Sequence, residues 1–148
     1  MIRAATRISN LNELEKATQD FANKLRPRTI VLFSGAVGVG KTQSIRFILK
    51  ALGFEMASSS SFAIHQEYKI NRDLKAHHFD FYRLENEDEI FQTGYFEALN
   101  EDKALVFVEW PDLLRSNVRA AGWVTIKFEL KLTNEETAER FLTIETLA

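Results

Sequence analysis

Residues 35–42, Gly-Ala-Val-Gly-Val-Gly-Lys-Thr, constrain what this chain folds into more than any other segment. They fit the pattern G-x-x-x-x-G-K-[ST], in which glycines let the backbone curl until successive N–H groups face a polyphosphate. The pattern needs a strand before it and a helix after it. Thr29 to Ser34 (TIVLFS) is a short apolar, β-branched run of the kind a buried parallel strand uses. Thr42 to Leu52 carries Ile45, Ile48, Leu49 and Leu52 on one helical face, and Gly53 stops it. The helix would aim its positive N-terminus at the same anion. Within the loop, Lys41 would reach the β- and γ-phosphates, and the Thr42 hydroxyl is placed to coordinate Mg²⁺.

The remaining segments supply a mixed sheet. Asn10 and Glu13 form an N-x-x-E cap, and Leu11, Leu14, Ala17, Phe21 and Leu25 follow at helical spacing until Pro27. Phe62 to Ile70 and Leu74 to Tyr82 read as two strands joined at Asn71-Arg72-Asp73. An acidic helical stretch is expected near Asn86 to Thr93. Ala104 to Val108 is a second buried strand, ended by Glu109-Trp110-Pro111. From Gly122 to Leu132, apolar and polar residues alternate, so a strand with one wet face is expected. A last strand is expected over Phe141 to Leu147. Helices mixed with strands make the class α/β with a mixed, partly parallel sheet. At 148 residues, one domain over 1–148 is expected.

Composition narrows the function. The net charge is −2, so the basic excess of a protein that clamps nucleic acid alone is missing, and direct DNA or RNA binding is disfavoured. No cysteine is present, which removes disulfides, thiolate zinc sites and cysteine nucleophiles. No signal-peptide pattern and no apolar run of membrane-spanning length occur, so a cytoplasmic location is expected.

A phosphate loop also needs carboxylates. Glu109 stands at the carboxyl end of a buried strand, where α/β sheets bind ligands. Asp80 lies in His78-Phe79-Asp80-Phe81-Tyr82-Arg83-Leu84, with His78, Asp80 and Tyr82 on one face; by pattern alone that face is as readily solvated as functional. His65, His77 and His78, with no cysteine beside them, read as structural or exposed. Ser58 to Ser61 supplies four hydroxyls, either as a connector or as a loop that senses a γ-phosphate.

The order of these motifs resembles the TsaE (YjeE) family. It runs from phosphate loop to Ser/Thr loop ending in Phe, then H-x-D-x-Y-R-L, then an apolar strand ending in E-W-P, over roughly positions 8 to 115. The resemblance implies a P-loop NTPase-like three-layer fold. It also implies an ATPase that supports threonylcarbamoylation of adenosine 37 in tRNAs reading codons that begin with A, acting with TsaB and TsaD, with tRNA met mainly through that complex. By the resemblance, Lys41 holds phosphates, Thr42 and Glu109 hold Mg²⁺, and Asp80 positions water or supports the metal. The nucleotide would lie along Gly35, Ala36, Val37, Gly38, Val39, Gly40, Lys41, Thr42 and Gln43. Ser61 would stand near the γ-phosphate, Trp110 would line the nucleotide site or a partner surface, and Asn10 and Leu11 would lie near the base. The chain departs from the family at Ala36, where an acid is usual, and at Ser60 and Ser61, which replace Pro and Thr. Two other readings of the loop are a small-molecule or nucleotide kinase and a nucleotide-dependent binding module without turnover.

Overall fold

The computed structural model describes residues 3–54, 63–118 and 120–147. In chain order the elements are β1 (Arg3–Ile8), α1 (Leu11–Ala22), β2 (Thr29–Ser34), α2 (Lys41–Ala51), β3 (His65–Asn71) and β4 (Leu74–Asp80). A 3₁₀ segment (Glu87–Gln92), α3 (Tyr95–Ala98), β5 (Ala104–Glu109), a second 3₁₀ segment (Pro111–Val118), β6 (Val124–Asn134) and β7 (Glu139–Leu147) complete them. The continuous apolar runs become the centre of one sheet and the mixed runs its margins. The strand order is β1-β7-β6-β2-β5-β4-β3. β6, β2, β5 and β4 are mutually parallel, while β7 and β3 run antiparallel to their neighbours. The expected α/β class with a mixed, partly parallel sheet is what forms.

Alternation along β2 and β5 divides the core into two layers, one on each face of the sheet. Val31, Phe33, Leu105 and Phe107 face α1 and α2, together with Phe128 of β6. Phe33 meets Phe128 at 4.8 Å between ring centroids and Phe107 edge-on at 5.8 Å. Burying each of these rings is worth about 1.5–3 kcal/mol. Ile30, Leu32, Val106 and Val108 face the other way, against α3 and the 3₁₀ segments through Ile90, Tyr95 and Leu114. This makes three layers, with the parallel strand ends left open between them.

The α1 cap forms as the sequence implies. The Glu13 amide donates to Asn10 Oδ1 at 2.9 Å, and the Ser9 amide donates back to Glu13 Oε1 at 2.7 Å. Replacing Asn10 with Ala is expected to cost about 0.5–2 kcal/mol, read as a lower urea midpoint at unchanged slope.

Several boundaries differ from expectation. α1 ends at Ala22, not beside Pro27: Asn23 is its C-cap, and the next amides, Lys24 and Leu25, bond three residues back to Phe21 and Ala22 in tighter turns. β4 stops at Asp80, where the Tyr82 amide bonds to the Asp80 carboxylate and bends the chain. The acidic stretch is 3₁₀ over Glu87–Gln92. β1 was not anticipated: of its residues Ala4 to Arg7 are exposed and Ile8 is buried, so it is held by its ladder to β7 and carries little apolar signal. β6 does not alternate cleanly. Thr125 is 3% exposed, whereas Val124 is 50% and Leu132 40% exposed, because the strand runs beyond the layers that cover its middle.

Candidate functional site

The parallel register gathers the candidate residues at one end of the sheet. β2 delivers the glycine loop, and β5 and β4 lie successively beside it. Glu109 is paired with Phe33 on one side and with Asp80 on the other, so the two acids stand side by side on adjacent strand ends. This is the carboxyl edge at which open α/β sheets hold ligands.

At Gly35, Gly38 and Gly40 the loop takes a positive φ that favours glycine. Gly35 has φ +144°, and a Cβ there would lie 2.5 Å from Leu130 O and 2.7 Å from Val39 Cγ1. Val39 is buried and anchors the loop, while Ala36, Val37 and Gly38 stay exposed. Gly40, φ +118°, sits just before α2, whose first residues, Lys41, Thr42 and Gln43, line the open end of the site. The Lys41 side chain is 5% exposed. Its ammonium donates to the Gly35 carbonyl and lies 3.5 Å from the centre of the Trp110 ring. Trp110 takes φ +56°, a strained value for a bulky residue before proline, and that turn brings its indole over the loop. Tyr82 packs against the indole, with ring centroids 4.9 Å apart.

Glu109 is the most engaged acid. Its Oε1 accepts from the Thr42 hydroxyl at 3.0 Å, and its Oε2 pairs with His78 Nε2 at 2.7 Å. Burial pushes this carboxyl up. The His78 hydrogen bond and charge, the Thr42 hydroxyl and the Lys41 ammonium together outweigh burial, leaving it below the ordinary carboxylate value. Asp80 goes the other way. Burial raises it, the Tyr82 amide opposes, and the neighbouring Glu109 charge raises it further. Two adjacent carboxyls are thus driven apart in acidity, as at sites that handle protons or metal.

Val37, Gly38, Gly40, Lys41, Thr42, Gln43, Asp80, Tyr82, Glu109 and Trp110 line one open cavity of about 310 Å³. Of the residues expected around a nucleotide, Gly35, Ala36 and Val39 shape the loop behind it. Asn10 and Leu11 do not line this cavity: Asn10 caps α1, and Leu11 is 59% exposed. The same helix does press on the loop, since a Cβ on Gly40 would lie 3.6 Å from Leu14 Cδ2. Ser61 and the rest of 58–61 fall outside the described residues. His78 also belongs to the site, beyond the residues expected from sequence. The signal was present: it shares the alternating face of Asp80, one strand from Glu109.

The donors suit Mg²⁺. Thr42 Oγ1, Glu109 Oε1 and the Asp80 carboxylate are hard oxygen atoms. The 3.0 Å between the first two is close to the edge of an octahedron with bonds of about 2.1 Å. His78 holds Oε2 and leaves Oε1 toward the cavity, the outer support that metal-binding carboxylates usually have.

The fold and site therefore define a phosphate-loop α/β protein with a two-carboxylate edge. A family model described as "Threonylcarbamoyl adenosine biosynthesis protein TsaE" matches residues 8–141, and the chain belongs to that family. A "tRNA threonylcarbamoyladenosine biosynthesis protein TsaE" of Rickettsia felis is 34% identical over 110 residues, 73% of this chain. The match spans 63% of that relative's own length. The protein of the same name from Rickettsia bellii is 34% identical over 78% of this chain and 79% of its own. Among solved structures, YdiB of Bacillus subtilis superposes with a TM-score of 0.74 over 99% of this chain and 87% of its own; at 22% identity that likeness concerns the fold. Among the described residues, no helix is long and apolar enough to cross a membrane.

Proposed function

We propose that the chain is a Mg²⁺-dependent ATPase of tRNA threonylcarbamoyladenosine synthesis, folded as one ATPase domain and working in the cytoplasm with TsaB and TsaD. The observation that carries this reading is the chain of contacts Thr42–Glu109–His78 beside Lys41, which ties a phosphate loop to an oriented, ionised carboxylate. A loop that only bound phosphate would not require that carboxylate.

Each residue then has a task. The loop amides from Val37 to Lys41 cradle the polyphosphate, and the Lys41 ammonium exchanges the Gly35 carbonyl for phosphate oxygens. Thr42 and Glu109 hold Mg²⁺, with Asp80 supporting it. When bound, the cation neutralises charge on the β- and γ-phosphates. Asp80 orients the attacking water in line with the γ-phosphate. Trp110 and Tyr82 wall the cavity. Asn10 and Leu11, which lie outside that cavity, approach the base. A net charge of −2 agrees with leaving much of the tRNA contact to partners. Turnover by the chain alone is slow and rises in the complex.

The test is product identity. Radiolabelled ATP, Mg²⁺ and a panel of nucleotide and small-molecule acceptors are incubated with the purified chain. Free phosphate as the sole labelled product supports the ATPase; a labelled acceptor sinks it in favour of a kinase. No turnover in any mixture, with ATP binding intact, would indicate a binding module.

A further inference from the structure

A second cluster lies away from the phosphate cavity and has no part in the reaction above. His77 on β4 stands directly opposite Glu67 on β3. It is 3% exposed, yet both its ring nitrogens are engaged. Nε2 meets Glu101 Oε2 at 2.8 Å, in the turn between α3 and β5, and Nδ1 meets His65 Nε2 at 2.9 Å. The His65 ring is itself stacked on Phe79 at 4.4 Å. One nitrogen of His77 and a carboxylate oxygen each from Glu67 and Glu101 lie within 4.8 Å of one another.

We propose that Glu67, His77 and Glu101 form a binding site for a transition-metal dication of the zinc class. Three features support this. The ligands come from three separate backbone segments and converge on one point. Two carboxylates offset a dication's charge, and an imidazole among them favours Zn²⁺ over Mg²⁺ or Ca²⁺. The far nitrogen of His77 is held by His65, as the second nitrogen of a metal-bound histidine usually is. With bonds of about 2.0–2.2 Å, a tetrahedral site needs its ligands about 3.4 Å apart. Glu67 closes that gap by a rotamer change. It first leaves Lys75, whose ammonium lies 2.9 Å away in a half-exposed pair of small energetic weight. Protons balance within the cluster. On binding, His77 frees Nε2 for the metal and carries its proton on Nδ1, which then donates to His65 Nε2. His65 in turn carries its proton on Nδ1. Water fills the fourth position. The bound cation would pin the edge strand β3 to the turn before β5.

The test uses the full, untagged chain stripped with chelator. Zn²⁺ is expected to bind this site with 1:1 stoichiometry by calorimetry and, at about a hundredfold excess over Kd, to raise Tm by about 5–10 °C. Co²⁺ is expected to give the visible absorption of a tetrahedral site. Glu67→Gln and Glu101→Gln should keep the metal-free Tm near that of the parent and weaken Zn²⁺ binding tenfold or more, about 1.4 kcal/mol. Glu109→Gln should leave it unchanged, which separates this site from the phosphate cavity. Parent-like Zn²⁺ titration in both the Glu67→Gln and the Glu101→Gln variants, or loss only with Glu109→Gln, overturns the proposal.

Discussion

Lys41→Met is expected to lower ATP turnover on the order of 10²–10³-fold and to weaken ATP binding, while the chain stays folded. Methionine keeps the unbranched stem that packs at the start of α2, so the loss is that of the charge. Lys41 is a buried residue, and its ammonium contacts to Gly35 and Trp110 mark where it waits without nucleotide. Releasing those contacts costs little against a polyphosphate, because the Trp110 contact is worth about 0.5–2 kcal/mol. The direction of its pKa adds a second readout. Burial pushes Lys41 below 10.5, and the charges of Glu109, Asp80 and Asp112 oppose that push without cancelling it. Bound phosphate raises the pKa again. ATP affinity should therefore be flat at neutral pH and begin to fall, as pH rises, before an ordinary lysine would titrate. Lys41→Met should abolish that fall. Calorimetric titrations at a series of alkaline pH values check both points, and unchanged affinity in the variant would remove Lys41 from the site.

Glu109→Gln is expected to cost a comparable factor in turnover, on the order of 10²–10³-fold, by another route. Glutamine keeps the volume and an oxygen that accepts from Thr42. It loses the negative charge that His78 and Lys41 hold in place. ATP binding without Mg²⁺ should change little, while the Mg²⁺ concentration needed for half-maximal turnover should rise. Asp80 should also become more acidic, since the adjacent charge that raises it is gone. Phosphate release measured against Mg²⁺ for parent and variant checks this. A variant with parental turnover and Mg²⁺ demand would contradict the role given to Glu109.

Much of the architecture was readable because its signals are local. The glycine spacing, the apolar runs of β2 and β5 and the Asn10 cap each follow from a few adjacent residues. What stayed hidden depends on register. Alternation puts His78 on the face of Asp80, but that its ring reaches Glu109, thirty-one residues away, follows only once β4 lies parallel to β5 with Asp80 beside Glu109. β1 was hidden for a related reason, since a margin strand is held by pairing with β7 and not by its own apolar pattern. The resemblance puts Trp110 at the nucleotide site or a partner surface, but its left-handed backbone, which sets the indole over Lys41, has no signature in sequence beyond the following proline.

On the proposed function, this site hydrolyses ATP in the service of a partner assembly. Phosphate release from ATP–Mg²⁺ by the purified chain alone, with TsaB and TsaD, and with both plus tRNA tests it most directly. Slow release alone, several-fold faster release on adding the partners, and loss of both rates in Lys41→Met are the predicted result. Fast release by the chain alone that TsaB, TsaD and tRNA leave unchanged would contradict it.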